Sequence, residues 1–126
     1  MYIYKCDIVR IVDGDTLDIN VDLGFHVRIV ERVRLADINA PEQYGPNASE
    51  EGKVSTEYVK RWVAERQDNG MFVYHSKKYH RTEKYGRSLG HIIWYPNQTS
   101  LSDITDVSQK DVLNIDLVND GKAKPS

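Results

Sequence analysis

The chain has a single cysteine, Cys6, among 126 residues, so no internal disulfide is available and the fold must be held by its core. It has almost no net charge. Seventeen Lys and Arg stand against 19 Asp and Glu, a formal −2, so there is no global basic field of the kind that marks many nucleic-acid binders. No apolar run approaches the ~20 residues of a membrane span. The N-terminal MYIYKCDIVRIV is interrupted by Lys5, Asp7 and Arg10. It lacks a continuous apolar h-region and a small-residue cleavage site, and so reads as a strand and not a signal peptide. A soluble, cytoplasmic protein with no membrane partner is expected. Internal repeats are absent, and the length suits one domain with a real core, so residues 1–126 are expected to form a single domain.

The charge that is present is unevenly spread. Residues 1–59 carry 11 acids and 6 bases, residues 60–91 carry 3 acids and 8 bases, and residues 92–126 carry 5 acids and 3 bases. A basic middle beside an acidic first half suits an anion site with a cation next to it, although solvated surface charge gives the same count.

Patterning predicts a β-rich chain. Ile3 to Val12 is β-branched and aromatic, a strand, and DGDT (13–16) is a turn. Leu17, Ile19, Val21 and Leu23 alternate with Asp18, Asn20 and Asp22, giving one buried and one wet face. Phe25 to Leu35 is read as a third strand, with Val27, Ile29 and Val33 toward the core. Residues 47–68 switch to helical spacing, with Val54, Tyr58, Val59, Trp62 and Val63 on one stripe. Ser49 is the expected N-cap and Gly70 the expected terminator. Met71–Ser76 and Arg87–Tyr95 read as strands four and five, with TEKYGR (82–87) turning between them. Residues 96–110 form a polar loop, Val112–Asn119 a short helix and Asp120–Ser126 a polar tail. Three strands, a helix and two strands fit a closed five-stranded oligonucleotide-binding (OB) barrel with one long helix after strand three.

Three short motifs carry chemistry. In DGDT, Asp13 and Asp15 offer oxygens of the kind a hard cation takes, yet Asp-Gly is also a common turn. An EF-hand is excluded, since Asp18 and Gly24 fall where that loop needs glycine and glutamate. In RLADINAPE, Pro41 stops strand pairing and Glu42 follows it, a candidate general base or a solvated acid. In EKYGR, Gly86 presents Arg87, whose planar fork suits phosphate oxygens. Cleavage of a phosphodiester needs a cation near the non-bridging oxygens, a base for water and donors for developing charge. Asp15, Glu42 and the pair Arg34 and Arg87 answer those three needs.

IVDGDT, VRLADINAPE and TEKYGRSLG, in that order and at these separations, resemble the staphylococcal nuclease (thermonuclease) family over about residues 8–123. The resemblance implies the OB barrel and a calcium-dependent endo- or exonuclease hydrolysing DNA and RNA, single strands preferred, as a monomer. By position it implies Asp15 as a calcium ligand, Asn39 at the place of a second carboxylate ligand and Ala40 as a carbonyl donor. Glu42 corresponds to the general base, with Arg34 and Arg87 as phosphate clamps and Asp13 as an outer acid. Lys84 and Tyr85 correspond to nucleotide contacts.

Four departures accompany it. Asn39 brings an oxygen without a charge. The loop after Glu42 is short. After DGKAK only Pro125 and Ser126 follow in this sequence, and a domain with the family's stacking tyrosines and C-terminal helix largely missing is expected. The 96–110 insert has no assigned chemistry. His26, His75, His80 and His91 form no zinc spacing, and the sequons at Asn47 and Asn97 have no secretion signal beside them. The alternative reading is a catalytically weak or inactive barrel that binds nucleic acid through residues 60–91.

Overall fold

The computed structural model describes residues 2–76, 88–96 and 111–126. The expected turn at 82–87, with Lys84, Tyr85 and Arg87, lies outside the described residues, as do His80 and 97–110 of the expected loop.

The first strand, β1 (Tyr2–Asp13), is long because it serves two neighbours. Its first half pairs with β5 (Gly70–Ser76) and its second with β2 (Thr16–Asp22), and irregularities at Ile8/Arg10 and Ile11/Asp13 bend it between them. β2 pairs in turn with β3 (Arg28–Leu35), and β5 with β6 (Ser88–Pro96). The barrel closes where Val33, Arg34 and Leu35 of β3 run parallel to Ser88, Leu89 and Gly90 of β6. This is a mainly β, five-stranded mixed barrel with two helices, as the pattern predicted. A two-residue strand, β7 (Asp111–Val112), extends β6 and leads into α2 (Leu113–Asn119).

The core follows the alternation of β2: Leu17, Ile19 and Val21 are all buried, joined by Val33, Leu35, Phe72 and Ile92. The 17-residue helix α1 (Glu50–Arg66) closes one end with Val59, Trp62 and Val63. Ser49 caps it as expected, its Oγ accepting from Gly52 N at 3.1 Å. Among the described residues, no helix is long and apolar enough to cross a membrane.

Several boundaries differ from the sequence reading. β3 starts at Arg28, because Gly24, Phe25 and His26 all take positive φ and form the hairpin tip. Leu23, Val27 and Ile29 are exposed rather than core residues, since β3 reaches β6 only from Val33 onward and its first half projects past the barrel. Val54 is also exposed. Gly70 does not end the helix, which stops at Arg66; it opens β5, where a side chain would collide with the Tyr95 carbonyl and the Trp94 ring.

The expected polar tail is structured. Residues 120–123 turn back on α2 through Lys122 N and Ala123 N, which donate to Leu117 O at 2.8 and 3.1 Å. β8 (Lys124–Pro125) then pairs with β4 (Ile38–Asn39), setting Lys124 opposite Asn39, and Ser126 N donates to Asp37 O. Asn114, almost fully buried on α2, ties this corner together. It donates to Ala36 O and Gly90 O and accepts from Ile92 N, so its polar atoms bring no unpaired cost to the interior.

Candidate functional site

The DGDT turn is built by its own side chains. Asp13 Oδ1 accepts from Asp15 N at 3.1 Å, and Asp15 O accepts from Leu35 N at 2.8 Å, locking the turn to the end of β3. The Asp15 carboxylate is thereby turned inward and nearly buried. Its Oδ1 accepts from Thr16 Oγ1 at 3.1 Å and its Oδ2 from Ala40 N at 3.0 Å. A buried carboxylate must be paired, and Arg34 supplies the charge, with Nη2 3.4 Å from Asp15 Oδ2.

Arg34 is placed by two registers at once, opposite Thr16 on β2 and opposite Leu89 on β6. Its Nη1 donates to Leu35 O and its Nη2 to Asn39 Oδ1, both at 2.6 Å. The structure thus gathers Asp13, Asp15, Arg34, Asn39 and Ala40 at the rim where the barrel closes. Asp37 is not gathered: it sits in the β3–β4 turn with φ +66, its Oδ2 3.5 Å from His91 Nε2.

The donor set suits a hard cation in kind. Asp15 Oδ2 and Asn39 Oδ1 converge on one point, marked by Arg34 Nη2, and the Ala40 backbone is adjacent. All are oxygens, as calcium or magnesium requires. The charge is small, however. Of these donors only Asp15 is a carboxylate, and among the described residues no three His, Cys, Asp or Glu side chains come together around a metal position. Arg34 already offsets the Asp15 charge. A pair at 3.4 Å is worth about 5 kcal/mol at an effective dielectric of ~20, before desolvation. A cation binding here competes with that attraction.

Glu42 follows two residues after Ala40, its side chain exposed and without hydrogen bond or ion pair among the described residues. Its backbone is fixed instead: Glu42 O accepts from Ser49 N at 3.0 Å. Gly52, in the first turn of α1, lies against the Glu42 carbonyl and Gln43 N, leaving no room for a side chain. Gly14 plays the matching part in the DGDT turn, where a Cβ would stand 2.7 Å from Ser55 Cβ and 2.9 Å from Ala40 Cβ. The start of α1 is therefore the platform on which both halves of the site rest.

Gly14, Gly52 and Ser55 escaped the sequence reading as site residues. Gly52 left a usable signal, since glycine inside a helix costs about 1 kcal/mol relative to alanine and needs a packing reason.

Residues 32–125 match the family model described as staphylococcal nuclease homologue. The chain is 32% identical over 111 residues to a protein named micrococcal nuclease from Shigella flexneri, covering 82% of this chain and 53% of that one. It thus spans about half the length of the curated relative it matches. The family match takes in the end of β3, the whole Arg34–Glu42 segment, α1, β5, β6 and α2, about three quarters of the chain, so this chain belongs to the staphylococcal nuclease homologue family.

Proposed function

We propose that this protein is a nuclease that hydrolyses phosphodiester bonds of DNA or RNA at the Asp15–Arg34–Asn39 rim. The observation that carries the reading is the convergence of Arg34, Asp15 and Asn39 on one point, with the Glu42 backbone pinned two residues beyond Ala40. The family implies calcium. Asp15, the Asn39 amide oxygen and the Ala40 carbonyl would hold it, and when bound it would supply positive charge beside the non-bridging oxygens.

The rest of the chemistry belongs to the chain. Arg34 has donors in a rigid fork, suited to two oxygens of one phosphate. When phosphate arrives, that fork exchanges Asn39 for a charged partner, and the exchange favours the state with more negative charge on phosphorus oxygens. Arg87 is the second clamp in this reading. The exposed Glu42 carboxylate would take a proton from water as that water's oxygen bonds to phosphorus; the ester P–O bond opposite breaks, and the departing oxygen takes a proton from solvent. Asp13 holds the Asp15 amide and so keeps the carboxylate aimed. Lys84 and Tyr85 would contact the nucleotide.

Asn39 favours a second reading, a barrel that grips single strands without cutting them. The two separate on one experiment. Labelled single-stranded DNA is incubated with calcium from micromolar to tens of millimolar, or with chelator. Calcium-dependent cutting supports the nuclease. Binding that survives chelator, with no cutting at any calcium level, supports the binder.

A further inference from the structure

The β4–β8 pairing brings a cation to the site that the nuclease reading does not use. Lys124 stands directly opposite Asn39 in an antiparallel pair. Opposed residues project from the same face with Cβ atoms about 5 Å apart, so the Lys124 ammonium shares the face from which Asn39 holds Arg34. Two residues earlier, Lys122 is fixed to α1 through its carbonyl, which accepts from Ser55 Oγ at 2.6 Å. Neither lysine forms an ion pair among the described residues.

Between this lysine strand and the first turns of α1 lies a groove of about 400 Å³. Its apolar surface includes Pro41 and the exposed Val54, and Glu50 and Glu51 stand on the helix side. Glu50 is partly offset by Lys53 at 3.4 Å. Pro41, which lines the groove, stands between Ala40 and Glu42 in the chain, so the groove borders the segment that carries both.

We infer that this groove is the subsite for the nucleotide next to the scissile phosphodiester, with Lys124 and Lys122 gripping that nucleotide's far phosphate. The inference rests on the nuclease reading. Three features select the occupant. The groove is lined by Lys124, the register partner of Asn39, and by Pro41, the next residue after Ala40. Its volume falls in the range of small-molecule sites. Its polarity is split: the acids repel a phosphate from the helix side and the lysines attract it on the strand side, which leaves base and sugar against Pro41 and Val54. The strand that loses a negative charge at Asn39 thus faces one that carries positive charge, and substrate phosphate is drawn to the rim from β8.

The test uses the whole chain and a labelled single-stranded oligonucleotide under calcium. Lys124 is exposed, so Lys124→Gln leaves the fold in place, which thermal melting checks. Its KM is expected to rise about three- to tenfold with kcat within twofold of the parent. The salt slope of binding should fall by about 0.7, the loss of one phosphate contact on a single strand. Lys124→Arg should restore both. Val54→Trp, which fills the groove without changing charge, should raise KM similarly and leave the salt slope alone. A parent that cuts, with KM and salt slope unchanged in Lys124→Gln and Val54→Trp, overturns the subsite. So does a loss confined to kcat. A parent that neither binds nor cuts overturns the nuclease reading itself.

Discussion

Gly52 of α1 sits directly against the carbonyl of Glu42, close enough that any side chain there would overlap it. The same Glu42 carbonyl accepts from Ser49 N, so the backbone of the proposed general base is held by the N-terminal turn of the helix from two sides. Gly52→Ala forces that segment away from the rim. Such overpacking costs about 1–3 kcal/mol of stability, and a displacement near 1 Å costs on the order of 10²-fold in rate. Denaturant unfolding and turnover on single-stranded DNA measure the two effects. A Gly52→Ala protein that stays folded and keeps parental turnover removes Glu42's position from the account of catalysis.

Asn39 leaves Asp15 as the lone carboxylate where Arg34 already resides. Asn39→Asp adds a second acid beside the first. A unit charge ~4 Å from a cation is worth about 4 kcal/mol at an effective dielectric of ~20, before desolvation, so at least a tenfold gain in calcium affinity is expected, about 1.4 kcal/mol. Titration calorimetry reads it directly, and the calcium-induced rise in Tm should grow in parallel. Equal calcium affinity in parent and Asn39→Asp contradicts the assignment of Asn39 as a ligand position.

Much of the architecture was legible because β2 buries every second residue: Leu17, Ile19 and Val21 line the core, as their alternation required. The same period misled in β3. Val27 and Ile29 have the right spacing, but β3 joins β6 only from Val33, and no local pattern shows where a barrel closes. Val54 continues the helical stripe of Val59 and Trp62, yet it faces the groove beside Pro41 and not the core. The two-residue strands β4 and β8 are too short to have a period at all. At the site, Asp15, Arg34 and Asn39 were readable from motif and order. The close approach of Gly14 and Gly52 to their neighbours and the pairing of Lys124 with Asn39 were not, because each depends on contact with a distant segment.

Cys6 makes stability fall at alkaline pH. Burial, aided by the Asp7 charge and opposed by Arg28, pushes its thiol from an ordinary 9.0 up to about 12. The folded state therefore keeps a proton that the unfolded chain releases. Its contribution is complete below pH 9 and is lost as pH rises from 9 toward 12, at up to about 1.4 kcal/mol per pH unit. Tyr58, held up by burial and by Asp120, adds to the fall at higher pH, so the measurement is a difference. Urea unfolding of parent and Cys6→Ala at pH 8 and pH 10 should show a smaller stability gap at pH 10. A gap that stays constant contradicts a thiol held protonated by burial.

The most direct test of hydrolysis at this rim is single-turnover cleavage of a labelled single-stranded DNA by parent and Glu42→Ala at saturating calcium. The Glu42 side chain forms no hydrogen bond or ion pair among the described residues, so its removal leaves the fold intact and isolates the chemistry. Calcium-dependent cutting by the parent, slowed by about 10²–10⁴ in Glu42→Ala as befits a lost general base, is the expected result. A Glu42→Ala protein that cuts as fast as the parent contradicts Glu42 as the base and removes the proposed mechanism.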